Sequence, residues 1–149
     1  MNVTVNIKIY RSKESVWQAI ADIENCQNVI SSIMKINILN KPEKNLVGLK
    51  WEETREMFGK EAMETMWITD SVVNEYYATR AENHGSVYIT KLSLKERDGT
   101  TLLTMSFNGV PQTFAAKVLS FLMRPLINSS IKKALIKDLR DIKAYVEKG

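Results

Sequence analysis

The sequence predicts an α+β fold in which a curved antiparallel sheet wraps around one long C-terminal helix, and three observations predict it. Val3, Val5, Ile7 and Ile9 alternate with Thr4, Asn6 and Lys8, the period of two that marks a half-buried strand. Residues 49–108 read as further strand segments parted by short turns of glycine, asparagine and aspartate, residues that tolerate the positive φ of tight hairpins. From residue 112 to 147 the apolar positions switch to helical spacing. The resulting order is a strand, two short helices, a run of antiparallel strands and one long helix that the sheet must curl round to bury.

Each element has its own local cause. After the first strand Ser12 has the chemistry of a helix N-cap, with Glu14 in the first turn where a negative charge suits the helix dipole. That helix carries Val16, Trp17, Ile20 and Ile23 inward and breaks near Glu24 and Asn25, before a second short helix to about Ser31. A branched apolar run, residues 33–39, is the next strand, closed by the polar loop 40–45. Strands follow at 49–58, 62–69, 75–82, 86–97 and 101–108. Gly59-Lys60, Asn83-His84-Gly85 and Asp98-Gly99 supply hairpin turns, while 70–74 reads as a looser link.

In the long helix Ile131, Ala134, Leu135, Leu139, Ile142, Tyr145 and Val146 fall on one side, with Lys132, Lys133, Lys137, Arg140 and Lys143 opposite. Asp138 lies inside the apolar stripe, where a carboxylate needs a hydrogen-bond partner or a proton. Before Pro125 the stripe Ala115, Val118, Leu122 and Leu126 is rotated by roughly half a turn. A kink or break between 123 and 129 is therefore expected, with the first half of the helix acting as a lid.

Composition narrows the class. A chain of 149 residues with 44% hydrophobic content and no long apolar run fits a single domain, 1–149, with no membrane span and a cytoplasmic location. One cysteine, Cys26, and one histidine, His84, make no internal disulfide and no zinc site, so neither metal nor cofactor is expected. Cys26 reads as a buried helix residue and His84 as a turn residue, which disfavours a catalytic pair. The net charge of +4 is too small and too interleaved for a nucleic-acid interface.

The element order, the segment Ser12-Lys13-Glu14-Ser15-Val16-Trp17, the Asp98-Gly99-Thr100 hairpin and the closing helix with Asp138-Leu139, Lys143 and Glu147 together resemble the START-like (SRPBCC) helix-grip domains of the polyketide cyclase/dehydrase type. The resemblance spans essentially the full length and rests on turn and packing positions. It implies a deep cavity between a curved antiparallel sheet and the C-terminal helix, holding a hydrophobic small molecule. Members of the family include lipid carriers, plant allergen-like binders and aromatic cyclases. No family-wide catalytic residues carry over.

Candidate site residues come from strand alternation. Trp51, Glu53, Arg55 and Met57 share one face of their strand, opposite the wholly polar Lys50, Glu52, Thr54 and Glu56. A carboxylate and a guanidinium thus point inward beside apolar neighbours. Either they form a structural pair at the cavity edge, joined by Asp138, or Arg55 fixes an acidic group of a ligand while Glu53 orients it or acts as a base. Tyr88, Leu103, Met105 and Phe107 are lining candidates from the last two strands, and Leu122 from the lid. Trp67 is added from the strand 62–69, whose two faces, Met63 with Trp67 and Met66 with Ile68, the sequence does not separate.

The expected function is binding or transport of a lipid, polyketide-like or aromatic molecule in an internal cavity. A cyclase, dehydratase or isomerase using the same cavity is the alternative. A third reading is a module that docks on a protein or membrane through Phe114, Phe121, Met123 and the basic helix face, a transient contact at most. The chain is expected as a monomer or weak homodimer.

Overall fold

The computed structural model describes residues 2–57, 59–83 and 85–149, with the backbone alone at Met57. The lining role expected of the Met57 side chain and the turn role expected of His84 therefore lie outside the described residues.

The strands are β1 (Asn2–Ile9), β2 (Ile33–Asn40), β3 (Lys50–Met57), β4 (Lys60–Val72), β5 (Tyr76–Asn83), β6 (Ser86–Arg97) and β7 (Thr100–Pro111). They form one antiparallel sheet in the order β1-β7-β6-β5-β4-β3-β2. Helix α1 (Lys13–Ala21) and a 3-10 helix (Ile23–Asn28) follow β1, and α2 (Phe114–Lys148) closes the chain. The sheet stays open at β1 and β2 and curves, with bulges in β2 and between Ile68 and Asp70 of β4.

Local chemistry sets most boundaries. Ser12 Oγ caps α1 by accepting from the Ser15 amide at 3.3 Å. The Asp98-Gly99 pair takes φ of 53° and 80°, the left-handed geometry of a two-residue hairpin loop. β4 is longer than the sequence predicts at both ends, because Asp70, Ser71 and Val72 pair with Ala78, Tyr77 and Tyr76 past the bulge. The expected loose link shrinks to a turn with Asn74 at φ 65°. β7 runs on to Pro111, which pairs with Ser86 of β6 and, among the described residues, lies past the last β1 pair, Asn2 with Asn108.

The core lies between the concave face of the sheet, α1 and the second half of α2. Val16, Trp17, Ala19 and Ile20 of α1 meet Leu135, Leu139, Ile142 and Val146 of α2 and the inward residues of β1 and β7. Trp17 and Tyr77 pack edge to face with ring centres 6.0 Å apart, and the buried Tyr77 hydroxyl donates to the Ile20 carbonyl at 3.1 Å.

Helix α2 departs from expectation. It runs uninterrupted through Pro125 instead of breaking there. With no break to re-aim it, the first stripe stays opposite the buried one: Ala115, Val118, Leu122 and Leu126 are exposed, Leu122 at 69%. Leu122 is therefore no part of the interior. What turns toward the protein in that half is mixed, with Ala116, Ser120, Ile127 and Asn128 partly buried.

Candidate functional site

The inward face can be followed row by row across the sheet. Trp51, Met66, Ala81, Tyr88 and Gly109 stand opposite one another from β3 to β7. The next row is Ile68, Thr79, Thr90, Phe107 and Val3. Tyr88 and Phe107 stack between these rows, ring centres 5.6 Å apart. Leu103 and Met105 also face inward but are sealed in the core.

On β3, Glu53 and Arg55 do share the inward face with Trp51. Trp51 Nε1 donates to Glu53 at 3.2 Å, Arg55 Nε donates to the other Glu53 oxygen at 3.2 Å, and Arg55 Nη1 donates to Asp138 Oδ2 at 2.8 Å. One guanidinium thus bridges the sheet to the middle of α2, between two carboxylates. Such a bridge offsets part of the cost of desolvating each charge, and removing one member leaves the others stranded. Asp138 is 3% exposed, and its second oxygen, Oδ1, has no hydrogen-bond partner among the described residues.

Arg55 and Asp138 are biased differently. Burial would lower the Arg55 pKa, but the carboxylates of Asp138 and Glu53 outweigh it and hold the guanidinium charged. For Asp138 burial is the largest influence and raises its pKa above the usual carboxylate value, against the pull of Arg55 and with further upward pressure from Glu53. The guanidinium is fixed as a cation, while burial biases Asp138 toward its neutral form. Cys26 offers no nucleophile: burial, then Glu53 and Asp22, push its thiol up to about 12.

Two features escaped the sequence. Trp67 belongs to the outer face, opposite Lys50 in the β3–β4 register, with the Lys50 ammonium 5.7 Å from its ring. It does not face the concave side, where Met66 and Ile68 point instead. Glu64, directly across from Glu53, was not singled out. Both follow from a register that single-strand alternation cannot supply, since neither face of this strand is clearly polar. A cleft of about 110 Å³ is lined by Ala21, Asp22, Ile23, Lys41, Leu46 and Leu49 among others, and shares no residue with the bridge.

The sequence matches no family model and no curated protein. Solved structures resemble the whole chain. The Zhui aromatase/cyclase from Streptomyces sp. R1128 superposes with a TM-score of 0.79 at 14% identity, covering 99% of this chain and 94% of that one. A START superfamily protein from Mycobacterium smegmatis gives 0.80 at 14% identity, over 99% and 97%. Ara h 8.0201 gives 0.75 at 15% identity, over 100% and 99%. The architecture is therefore the START-like helix-grip fold. At these identities the likeness establishes the fold alone, and the site must be argued from its own residues.

Proposed function

We propose that the protein binds a hydrophobic small molecule between the concave face of the sheet and the first half of α2, with the polar end of the ligand held at the Glu53–Arg55–Asp138 bridge. The observation that carries this reading is the placement of that bridge. A buried ionic group stands on the same face as Met66, Ala81, Tyr88 and Phe107, in a fold whose long helix packs on β1, β7 and α1. Arg55 has five donor hydrogens and uses two in the contacts above, so donors remain for a carboxylate or carbonyl. The structural neighbours, an aromatase/cyclase and a START superfamily protein, support the same reading.

A catalytic use of the same group is the second reading, favoured by Asp138. A buried acid with an unpartnered oxygen and a raised pKa is a candidate proton donor for a ligand carbonyl. We also infer a cytoplasmic location, with which the single buried thiol of Cys26 is compatible.

The test is a pair of matched ligands, a long-chain fatty acid and its primary amide, titrated against the protein and against a triple variant Glu53→Gln, Arg55→Met, Asp138→Asn. Micromolar binding of the acid, about −8 kcal/mol, which the triple variant loses while still binding the amide, is the expected result. If neither ligand raises the melting temperature at saturation, the binding reading fails.

A further inference from the structure

The first half of α2 has its apolar side on the outside. At 100° per residue, Phe114, Val118, Leu122, Leu126 and Leu119 occupy one sector of about 140°, and all five are exposed. Between residues 114 and 131 no charged residue falls within that sector. Phe121, at its margin, is 73% exposed. A helix that buried this face against its own sheet would be ordinary. This one turns Ser120 and Asn128 toward the protein and leaves the leucines out, along a length of roughly 20 Å.

Charge identifies the occupant. From Gly99 to Lys137 the chain has no aspartate or glutamate, yet Lys117, Arg124, Lys132, Lys133 and Lys137 all lie there. Lys117 and Arg124 lie about 60° and 80° beyond one edge of the apolar sector, whereas Lys132 and Lys133 fall within it and continue it at its C-terminal end. A second copy is a poor fit, since two such faces laid together would bring cations against cations with no carboxylate between them. A broad, convex apolar strip that runs into Lys132 and Lys133 in an acid-free stretch of chain is instead the pattern of a helix that lies in a membrane interface, its cations among anionic headgroups. No helix among the described residues is long and apolar enough to cross a membrane, so the contact is one of lying on the surface.

We propose that the outward face of the first half of α2 docks the protein on an anionic lipid membrane. Phe114, Leu119, Leu122 and Leu126 enter the acyl boundary, and Lys132 and Lys133 contact headgroups. The inference is independent of what the concave face binds, because none of these side chains belongs to the Glu53–Arg55–Asp138 bridge.

Co-sedimentation with vesicles tests it, comparing vesicles of equal parts phosphatidylglycerol and phosphatidylcholine with vesicles of phosphatidylcholine alone. The protein should sediment with the anionic vesicles and bind the neutral ones at least about fivefold more weakly. Lys132→Glu with Lys133→Glu should weaken anionic binding by about fivefold or more per site. Leu122→Ser with Leu126→Ser should weaken it about tenfold per leucine, with an unchanged circular dichroism spectrum because both positions are exposed. Should that pair unfold, Phe114→Ser at the helix start carries the same expectation. Binding to neither vesicle overturns the proposal, as does equal binding to both that ignores the charge reversals. A dimer that the leucine changes dissolve, without any vesicle binding, assigns the face to a second copy and overturns it as well.

Discussion

In the second half of α2, Leu135, Leu139, Ile142 and Val146 are buried against the sheet and α1 while lysines face water. In the first half Leu119, Leu122 and Leu126 face water, and the positions turned toward the protein include Ser120 and Asn128. The same helix, without interruption at Pro125, thus carries two apolar stripes on opposite sides, and among the described residues one is buried and the other exposed. Amphipathic spacing specifies that a face should be covered; it does not specify by what. The second half is tied down further at its edges. Asp141 accepts from the Ser31 amide and hydroxyl at 2.9 and 2.8 Å, Lys137 reaches Ser31 as well, and Lys143 pairs with Glu147.

The sharpest way to break this comparison is one truncation in each half. Leu139→Ala, at a site 1% exposed, should cost about 4 kcal/mol through lost burial and the cavity left behind. Leu122→Ala should cost less than about 0.5 kcal/mol. Urea denaturation measures both, and equal losses would mean that the first half is packed after all.

A somewhat smaller effect is expected at the junction between the halves and the sheet. Arg55→Met should destabilise the fold by about 3 kcal/mol, because it strands two carboxylates. The double variant with Glu53→Gln should recover only part of this, since Asp138 remains buried and charged. Adding Asp138→Asn should recover most of the rest. Full recovery in the double variant would show that Asp138 does not depend on Arg55.

The smallest effect is a dependence on pH. Asp138 has a folded-state pKa raised above its unfolded value of about 3.9. In the interval between the two the folded state holds the extra proton, so its contribution is present below about 4 and is lost as pH rises through the folded pKa. Asp141 acts in the opposite sense. Its pKa is lowered, because the Ser31 and Lys137 contacts outweigh burial, so its contribution is present above about 4 and lost on acidification. Comparing wild type with Asp138→Asn in urea at pH 4 and pH 7 isolates the first group. The wild-type advantage should shrink toward pH 7; growth instead would mean that the Arg55 contact dominates burial and that the Asp138 pKa is lowered.

Much of this architecture was readable along the chain because it rests on short-range chemistry. Period-two alternation located β1 and β3, Asp98-Gly99 fixed its hairpin, Ser12 capped α1, and the 3.6 spacing placed Asp138 among buried leucines. Alternation along β3 also put Glu53 and Arg55 on the inward face with Trp51. Distances over 80 positions were harder: that Asp138 joins Arg55 at 2.8 Å was one of two readings, and the sheet register alone put Trp67 outside and Glu64 opposite Glu53. Strand pairing is a relation between segments, and β4 has no polar face to betray its orientation. The fate of the stripe before Pro125 was decided in the same way. Sequence spacing established that Ala115, Val118, Leu122 and Leu126 share a side and that this side opposes Leu139, since both facts are rotations about one axis. Whether that side would be swung inward by a bend or left facing water depended on where the sheet, α1 and the rest of α2 had already met, a packing outcome that no local pattern contains.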